Sequence, residues 1–326
     1  MPTICERKEK PKIKPVVLVT PSSLLAPATI RNSFLITASY LVISYLLIGF
    51  KPEQLILAGL VNVLYFASRI TRRLIIGFSV FIIYWIVFDY MKAFPNYRHN
   101  EVHIQDLYNW EKSWFGFHWN NAFVTPNEYF AQNISASLDI LSGIFYLCWV
   151  PVPLAFAAVL FFKNRQLFFQ FSLTFFLVNI IGFIGYYSYP AAPPWYVSQY
   201  GFDFVSSTPG NTAGLGRFDT LLGVDIFKGI YAKSSNVFAA MPSLHAAYML
   251  IVVFFGIKAK MRGWNILFAM ITIGIWFAAV YSGHHYILDI LAGIVCTVIG
   301  ISLFQFWVKT KAGQSIVKKL VSLTSV

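Results

Sequence analysis

The stretch "PSLHAAYMLIVVFFGIKAKMRGWNILFAMITIGIWFAAVYSGHHYILD", from Pro242 to Asp289, contains two long apolar runs with ionisable side chains near both ends. A hydrocarbon core of about 30 Å takes roughly 20 helical residues to cross, so about 40 residues cross it twice. His245 and His285 are separated by that length of chain. The stretch therefore predicts a helical hairpin that brings the two histidines to the same membrane surface.

Asp289 follows His285 by four positions, which places the two side chains on one face of a helix. A carboxylate in that position fixes the tautomer of the imidazole and stabilises the imidazolium. An aspartate just inside a membrane span is also unfavourable unless it is paired. We therefore predict His285 as a nucleophile or base oriented by Asp289, with His245 as the acid or base opposite it. Such a pair suits a phosphoryl-type displacement.

A phosphate at this site needs hydrogen-bond donors, and several polar residues are predicted on the same membrane face. The candidates for binding it are Arg217, Lys228, Lys233 and the hydroxyl of Ser243. His284 fits either a substrate contact or a structural role, and Asp139 fits either a headgroup contact or a helix cap. A histidine pair can also ligate haem or a metal. No Cys or carboxylate cluster completes such a site in the sequence, so no cofactor and no metal are predicted.

The composition is typical of a membrane protein. Of the 326 residues, 57% are hydrophobic and only 12% are charged, which sets the chain apart from soluble domains. A formal net charge of +12 would suggest nucleic acid as a partner of a soluble protein, but membrane topology accounts for it better. The predicted fold class is therefore all-α and polytopic, in a membrane and without a nucleic-acid partner.

About eight transmembrane helices can be placed along the chain from the length of the apolar runs. They are predicted near 34–50, 52–68, 74–91, 136–161, 167–188, 245–257, 263–281 and 285–307. Two long loops, 92–135 and 189–244, have room for a polar site. Within the first, "IQDLYNWEKSWFGF" predicts an amphipathic helix in the headgroup layer.

The Lys and Arg residues fall unequally on the two sides of this arrangement. One side receives 18 of the 25, whereas the side with the two longest loops receives 7. The positive-inside rule then predicts cytoplasmic basic tails at 1–30 and 309–326 around a single transmembrane catalytic domain at 31–308. All six histidines lie on or near the opposite face, so the active site is expected on the periplasmic or lumenal side.

Four motifs in a fixed order carry a resemblance to a known family. "YPAAPPWYVSQYG", "GLGRFDTLLG", "FAAMPSLHA" and "HHYILD" are together similar to the inositol phosphorylceramide synthase branch of the type 2 phosphatidic acid phosphatase superfamily. The resemblance covers about residues 85–307 and implies a six-helix core. The phosphatase branch has an arginine six positions before its nucleophilic histidine, where this chain has Ala279. This departure is shared with the synthase branch and favours transfer over hydrolysis.

The resemblance implies His285 as nucleophile, Asp289 as its orienting partner, His245 as general acid and base, and Arg217 as the phosphate-binding residue. The predicted reaction moves inositol phosphate from phosphatidylinositol to a ceramide-type lipid through a phosphohistidine and releases diacylglycerol. Phosphocholine or phosphoethanolamine transfer would leave similar motifs. The alternatives are a lipid phosphatase that uses water as acceptor and, more distantly, a membrane transporter with a histidine relay. The pattern does not define an oligomeric state.

Overall fold

The computed structural model describes residues 24–233 and 236–325. The regular secondary structure of these residues is helical apart from one short hairpin, as predicted for an all-α protein. The helices before the second long loop are α1 (Pro27–Ile48), α2 (Pro52–Ala67), α3 (Arg69–Tyr90), α4 (Gln105–Phe115), α5 (Pro126–Gln132), α6 (Ala136–Leu147), α7 (Pro151–Lys163) and α8 (Arg165–Ser188). Those after it begins are α9 (Pro194–Tyr200), α10 (Gly216–Leu222), α11 (Ile226–Tyr231), α12 (Leu244–Lys258), α13 (Arg262–Tyr281), α14 (Ile287–Trp307) and α15 (Lys311–Thr324). The hairpin pairs β1 (Phe117–Trp119) with β2 (Ala122–Val124).

Six helical segments in the described part of the chain are long and apolar enough to cross a membrane. They are α1, α3 with the turn that follows it, α6 together with α7, α8, α13 and α14. α2 and α12 are shorter apolar helices. The multi-span prediction therefore agrees with the structure by helix length and composition.

The buried centre of the protein is formed by α3, α6–α7, α8, α12, α13 and α14, with α12 in contact with α7, α8, α13 and α14. Its interior is aromatic, and Phe168, Phe171 and Phe255 are fully buried there. α1 has only Ser44 buried and contacts α2 and α3 at the edge of the bundle. These elements thus build the core, and the two N-terminal helices α1 and α2 are added at its edge.

The continuous span predicted at 136–161 is a pair of helices. α6 ends at Leu147, and α7 begins at Pro151 after a turn at 148–150. Proline has no amide hydrogen to donate, so it is tolerated at the first position of a helix and interrupts a helix that is already running. Trp149 lies in this turn, and its ring packs edge-on against the His245 ring at a centroid distance of 4.5 Å.

The C-terminal segment 309–326, predicted only as a basic tail, contains an ordered helix. α15 packs against α3 and α8, and its Val317 side chain is buried. The hydroxyl of Thr310 accepts a hydrogen bond from the amide of Gly313 and caps the start of the helix. At the other end of the chain α1 begins at Pro27, and residues 1–23 of the predicted N-terminal tail lie outside the described residues.

The loops that carry the candidate site meet at one end of the bundle. The loop after α3 joins the loop after α8 through the amide of His103, which donates to Pro190 O, and the amide of Ala192, which donates to His103 O. The α13–α14 turn lies at the same end, because Asn127 of α5 hydrogen-bonds its backbone. At the opposite end, Lys258 donates to Gln170 and Gln305, where α12, α8 and α14 come together.

Candidate active site

His285 lies in the tight turn between α13 and α14. Gly283 has a φ of +73° in this turn, a conformation that glycine adopts without the strain that a side chain would impose. The turn lets the amides of His284 and His285 both donate to Ala279 O, at 3.0 and 3.1 Å. α14 then begins two residues after His285, so the histidine stands immediately before the N-terminus of a helix.

Asp289 holds the imidazole of His285 from the first turn of α14. His285 Nδ1 lies 3.3 Å from Asp289 Oδ2, and the same oxygen accepts from the amide of Tyr286 at 2.9 Å. Both side chains are buried, and Asp289 has no exposed surface. Because a carboxylate accepts the hydrogen on Nδ1, the lone pair of His285 is on Nε2.

His245 faces that lone pair from the first turn of α12. Its Nδ1 atom lies 3.1 Å from Nε2 of His285, so it donates to the lone pair that Asp289 has left there. The two helices are also joined by their backbones, since the amide of Ser243 donates to Asp289 O at 2.8 Å. A Cβ atom at Gly293 would lie 2.2 Å from Ser243 O, so the glycine of the "ILAG" sequence makes this close approach possible.

Ser243, predicted to bind substrate, has a structural partner. Its hydroxyl accepts from the amide of Ala246 at 3.4 Å and caps α12. Capping of this kind satisfies a backbone donor that has no partner within the helix. The residue therefore fixes the start of the helix that carries His245.

His284 is sandwiched between two tyrosines. Its ring is stacked on Tyr231 at 4.5 Å and on Tyr146 at 5.7 Å, and its Nε2 donates to Thr212 O at 2.8 Å. Burial, followed by the nearby charge of His285, lowers the pKa of His284 to about 3. The ring is therefore neutral at physiological pH and faces the same cavity as the other two histidines.

Arg217 and Asp139 form an ion pair beside the histidine turn. Arg217 Nε donates to Asp139 Oδ1 at 2.6 Å, and the hydroxyl of Tyr281 donates to the same oxygen at 2.9 Å. The guanidinium also lies over the Tyr281 ring, at 5.3 Å. Its Nη2 atom is buried without a hydrogen-bond partner among the described residues. Asp139 thus contacts the predicted phosphate-binding residue, and one donor of that arginine remains available.

The two lysines proposed from sequence lie in exposed ion pairs. Lys233 Nζ donates to Glu53 Oε1 of α2 at 2.8 Å, and Lys228 Nζ lies 3.3 Å from Asp225. Two thirds of the Lys233 side chain is exposed. Neither lysine is part of the described lining of the cavity beside the histidines.

A cavity of about 130 Å³ opens onto the three histidines. Its other walls come from α3, α8, α11 and the long loop, and they carry aromatic, amide and apolar side chains. The lining residues with the clearest chemistry are Phe88, Met91, Tyr186, Trp195, Asn211 and Asn236. The described lining contains no Asp, Glu, Lys or Arg, so the imidazoles are the only ionisable groups besides tyrosine that face it.

Two buried polar residues beside the site were not predicted from the sequence. Glu111 of α4 and Asn127 of α5 both hydrogen-bond the backbone of the histidine turn. Glu111 shares a helix face with Leu107, four positions earlier, and both are fully buried. A carboxylate on the apolar face of an amphipathic helix was the available signal.

The fold and the site together define a helical membrane protein with a pair of histidines in contact, one of which is also paired with a buried aspartate. Residues 105–303 match the PAP2 superfamily. The chain is 49% identical over 273 residues to the phosphoinositol dihydroceramide synthase of Bacteroides thetaiotaomicron, covering 83% of this chain and 90% of that protein. It is 30% identical over 197 residues to the inositol phosphorylceramide synthase of Candida albicans, covering 56% of this chain and 42% of that protein.

A third relative is the catalytic subunit of inositol phosphorylceramide synthase from Saccharomyces cerevisiae, 29% identical over 69% of this chain and 54% of the yeast protein. The chain thus spans about half the length of these fungal relatives and nearly all of the bacterial one. No solved structure matches. The chain belongs to the PAP2 superfamily and, within it, to the inositol phosphorylceramide synthase branch, and is therefore an enzyme. This confirms the resemblance seen in the four motifs.

Proposed function

We propose that this enzyme transfers an inositol-phosphate headgroup from phosphatidylinositol to the hydroxyl of a ceramide-type lipid and releases diacylglycerol. The main support is the line of three side chains in which His285 lies between Asp289 and His245, at 3.3 and 3.1 Å. The names of the relatives in Bacteroides and in fungi support the same substrates. Family membership supports headgroup transfer in sphingolipid metabolism as the general class of reaction.

In the first half of the reaction, Nε2 of His285 attacks the phosphorus of phosphatidylinositol. A phosphorus–nitrogen bond forms as the bond from phosphorus to the diacylglycerol oxygen breaks. His245 acts as an imidazolium, which gives one ring proton to that departing oxygen and becomes neutral, while Asp289 stabilises the positive charge that develops on His285. In an in-line displacement phosphorus lies between the attacking and leaving atoms, so the two imidazoles separate as the phosphate enters.

In the second half, His245 removes the proton from the lipid hydroxyl of the acceptor. The resulting oxygen attacks phosphorus, and the phosphorus–nitrogen bond to His285 breaks. The product is an inositol phosphorylceramide and both histidines return to their starting protonation states. Arg217 is proposed to bind a phosphate oxygen during both steps through its unpartnered Nη2 donor. The residue is not part of the described lining of the cavity beside the histidines, so this role requires its guanidinium to turn toward them.

The site is proposed to face the periplasm or a lumen, with both chain termini in the cytoplasm. The end of the bundle opposite the histidines carries Lys163, Arg165, Lys258, Lys260 and Arg262 at its helix boundaries. This distribution supports a cytoplasmic location for that end by the positive-inside rule. Labelling of single cysteines placed at Gly201 and at Lys260 with an impermeant reagent tests the assignment, because only the former is expected to react in sealed cells.

The function is tested by incubating the purified protein in lipid vesicles with labelled phosphatidylinositol and a ceramide, followed by mass spectrometry of the lipid products. We expect inositol phosphorylceramide to form in the wild type and the reaction to fall at least roughly 10³-fold in His285→Ala. His118→Ala, in an exposed histidine of the hairpin, is the matched control. Release of water-soluble inositol phosphate and diacylglycerol without any inositol phosphorylceramide would instead identify a hydrolase.

The covalent step needs a separate test. Phosphatidylinositol labelled in its phosphate is added without ceramide, and the reaction is stopped in alkali, in which a phosphohistidine survives. We expect label on the wild-type protein that is lost in acid and is missing from His285→Ala. Full transfer activity without any protein-bound label at early times would argue for direct transfer between the two lipids.

A further inference from the structure

The carboxylate of Glu111 caps the helix that carries the orienting aspartate. Glu111 Oε1 accepts from the amide of Ile287 at 3.0 Å, and Oε2 accepts from the amide of Leu288 at 3.1 Å. These are the first two residues of α14, whose amides have no partner within the helix. A cap is normally supplied by the residue just before the helix. Here it comes from α4, a separate element 176 positions earlier in the chain.

Asn127 holds the other side of the same turn. Its Nδ2 donates to Val280 O at 2.8 Å and to His285 O at 3.0 Å. The second contact is to the backbone carbonyl of the proposed nucleophile itself. Asn127 therefore fixes the backbone of the turn up to His285, and Glu111 fixes the backbone of the two residues that begin α14.

Both residues belong to one unit, which we call the surface segment, residues 105–132. α4 and α5 are joined within it by Tyr108, whose hydroxyl donates to Glu128 Oε1 at 2.6 Å. The outward face of α4 exposes Trp110 and Trp114, side chains that favour the headgroup layer of a membrane. The inward face carries Glu111, so a single helix contacts the membrane surface on one side and the histidine turn on the other.

The burial of Glu111 is costly, and it is beside a second carboxylate. Desolvation raises the pKa of Glu111 to about 7, the two amide hydrogen bonds oppose the rise, and the charge of Asp289 adds to it. A glutamate in such a place destabilises the fold in its charged form unless its contacts compensate. The contacts it makes are to the first two amides of α14, directly after the histidine turn.

We propose that Glu111 and Asn127 are positioning residues, through which the surface segment sets the orientation of the His285 imidazole toward His245 and the substrate phosphorus. This inference rests on the function proposed for His285. A displacement of about 1 Å at a reacting atom can lower a rate by roughly 10²-fold. Loss of either contact should therefore lower kcat while leaving the binding of both lipids unchanged.

The test compares Glu111→Gln, Glu111→Ala and Asn127→Ala with the wild type in vesicles, using Glu101→Gln as the control. Glu101 is an exposed carboxylate in the loop before α4. We expect kcat to fall about 10- to 100-fold in Glu111→Ala, and by less in Glu111→Gln, which keeps one acceptor oxygen. The KM for each lipid should stay within about twofold, and Asn127→Ala should behave like Glu111→Ala.

A residue that only supports the fold would behave differently. The variants would then lose active protein on heating, but kcat per active site would stay at the wild-type value. Active sites are counted by the phosphohistidine burst. That result would overturn the inference. Glu111→Gln keeps the size of the side chain and provides a folded variant should Glu111→Ala fail to fold.

His285→Ala is measured in parallel. Activity in His285→Ala would refute the proposed function, whereas an inactive His285→Ala beside fully active Glu111 and Asn127 variants would refute this inference alone.

Discussion

His285 Nε2 and His245 Nδ1 lie 3.1 Å apart, although 40 positions separate them in the chain. α12 and α13 form a helical hairpin over this stretch, which returns the second histidine to the end of the bundle where the first one lies. The contact is direct because the amide of Ser243 also bonds the backbone of Asp289. One helical hairpin and the start of the next helix thus supply His245, His285 and Asp289.

Asp289→Asn should lower kcat by roughly 10²- to 10⁴-fold while leaving the fold intact. The oxygen that faces His285 Nδ1 also accepts from the amide of Tyr286, so an asparagine oxygen in that place keeps both contacts but loses the negative charge that stabilises the imidazolium. If the NH₂ group takes that place instead, it favours the tautomer with hydrogen on Nε2, which removes the lone pair needed for attack. Transfer rates at saturating lipid and thermal melting of the same sample measure the two effects, and unchanged kcat would show that the carboxylate does not control the tautomer.

Gly293→Ala should destabilise the protein by about 1–3 kcal/mol and lower activity. Its methyl group would lie 2.2 Å from Ser243 O, a backbone atom that cannot rotate away. The start of α12 would have to move, and His245 would move with it. Gly263→Ala is the matched control, because a methyl group there meets no atom within 4 Å. Equal unfolding free energies for the two variants would contradict the close approach.

His284→Gln should keep the hydrogen bond to Thr212 O and reduce the loss of stability in acid. With a folded pKa of about 3 and an unfolded value near 6.5, His284 binds a proton in the unfolded state first as pH falls. Between about pH 6.5 and 3 the unfolded state therefore binds more protons than the folded state. The contribution of His284 to stability is lost as the pH falls through that window. Melting temperatures of wild type and variant from pH 7 to 4 should diverge toward acid, and parallel curves would exclude this linkage.

Arg217→Lys should raise the KM for phosphatidylinositol about tenfold, because lysine cannot bind Asp139 and present a second planar donor at the same time. Asp139→Asn keeps a hydrogen bond to Tyr281 and should have a smaller effect on KM. If Arg217 serves only the ion pair, both variants and their double mutant will lower the melting temperature by a coupled amount and leave KM unchanged. Measuring both quantities in all three proteins distinguishes these outcomes.

The parts of the site that could be predicted are those with local spacing. His285 and Asp289 are one helical turn apart, and His245 follows from the length of a membrane crossing. The amphipathic helix at α4 was likewise predicted from its aromatic pattern and is present at Gln105–Phe115. In each case the geometry of one helix or one span determines the distance between residues.

Contacts between distant loops could not be predicted in this way. No spacing rule relates Glu111 to Ile287, or Asn127 to His285, since their approach depends on how the surface segment packs on the bundle. Lys233 was predicted at the site but instead pairs with Glu53 on α2, a contact between distant parts of the chain that its place in the sequence did not indicate. The break between α6 and α7 was available from Pro151, and treating the apolar run as one span concealed it.

The composition of the cavity walls bears on what becomes of a phosphohistidine once it has formed. Phe88 and Met91 bring the apolar end of α3 to the edge of a chamber whose described lining has no carboxylate, lysine or arginine. Water and a lipid alcohol compete for the same phosphorus, and the apolar part of these walls offers water no hydrogen bond while it accommodates hydrocarbon. The ratio of transfer to hydrolysis would accordingly be set by side chains that take no part in the chemistry. A polar residue at position 88 or 91 would increase the share of hydrolysis.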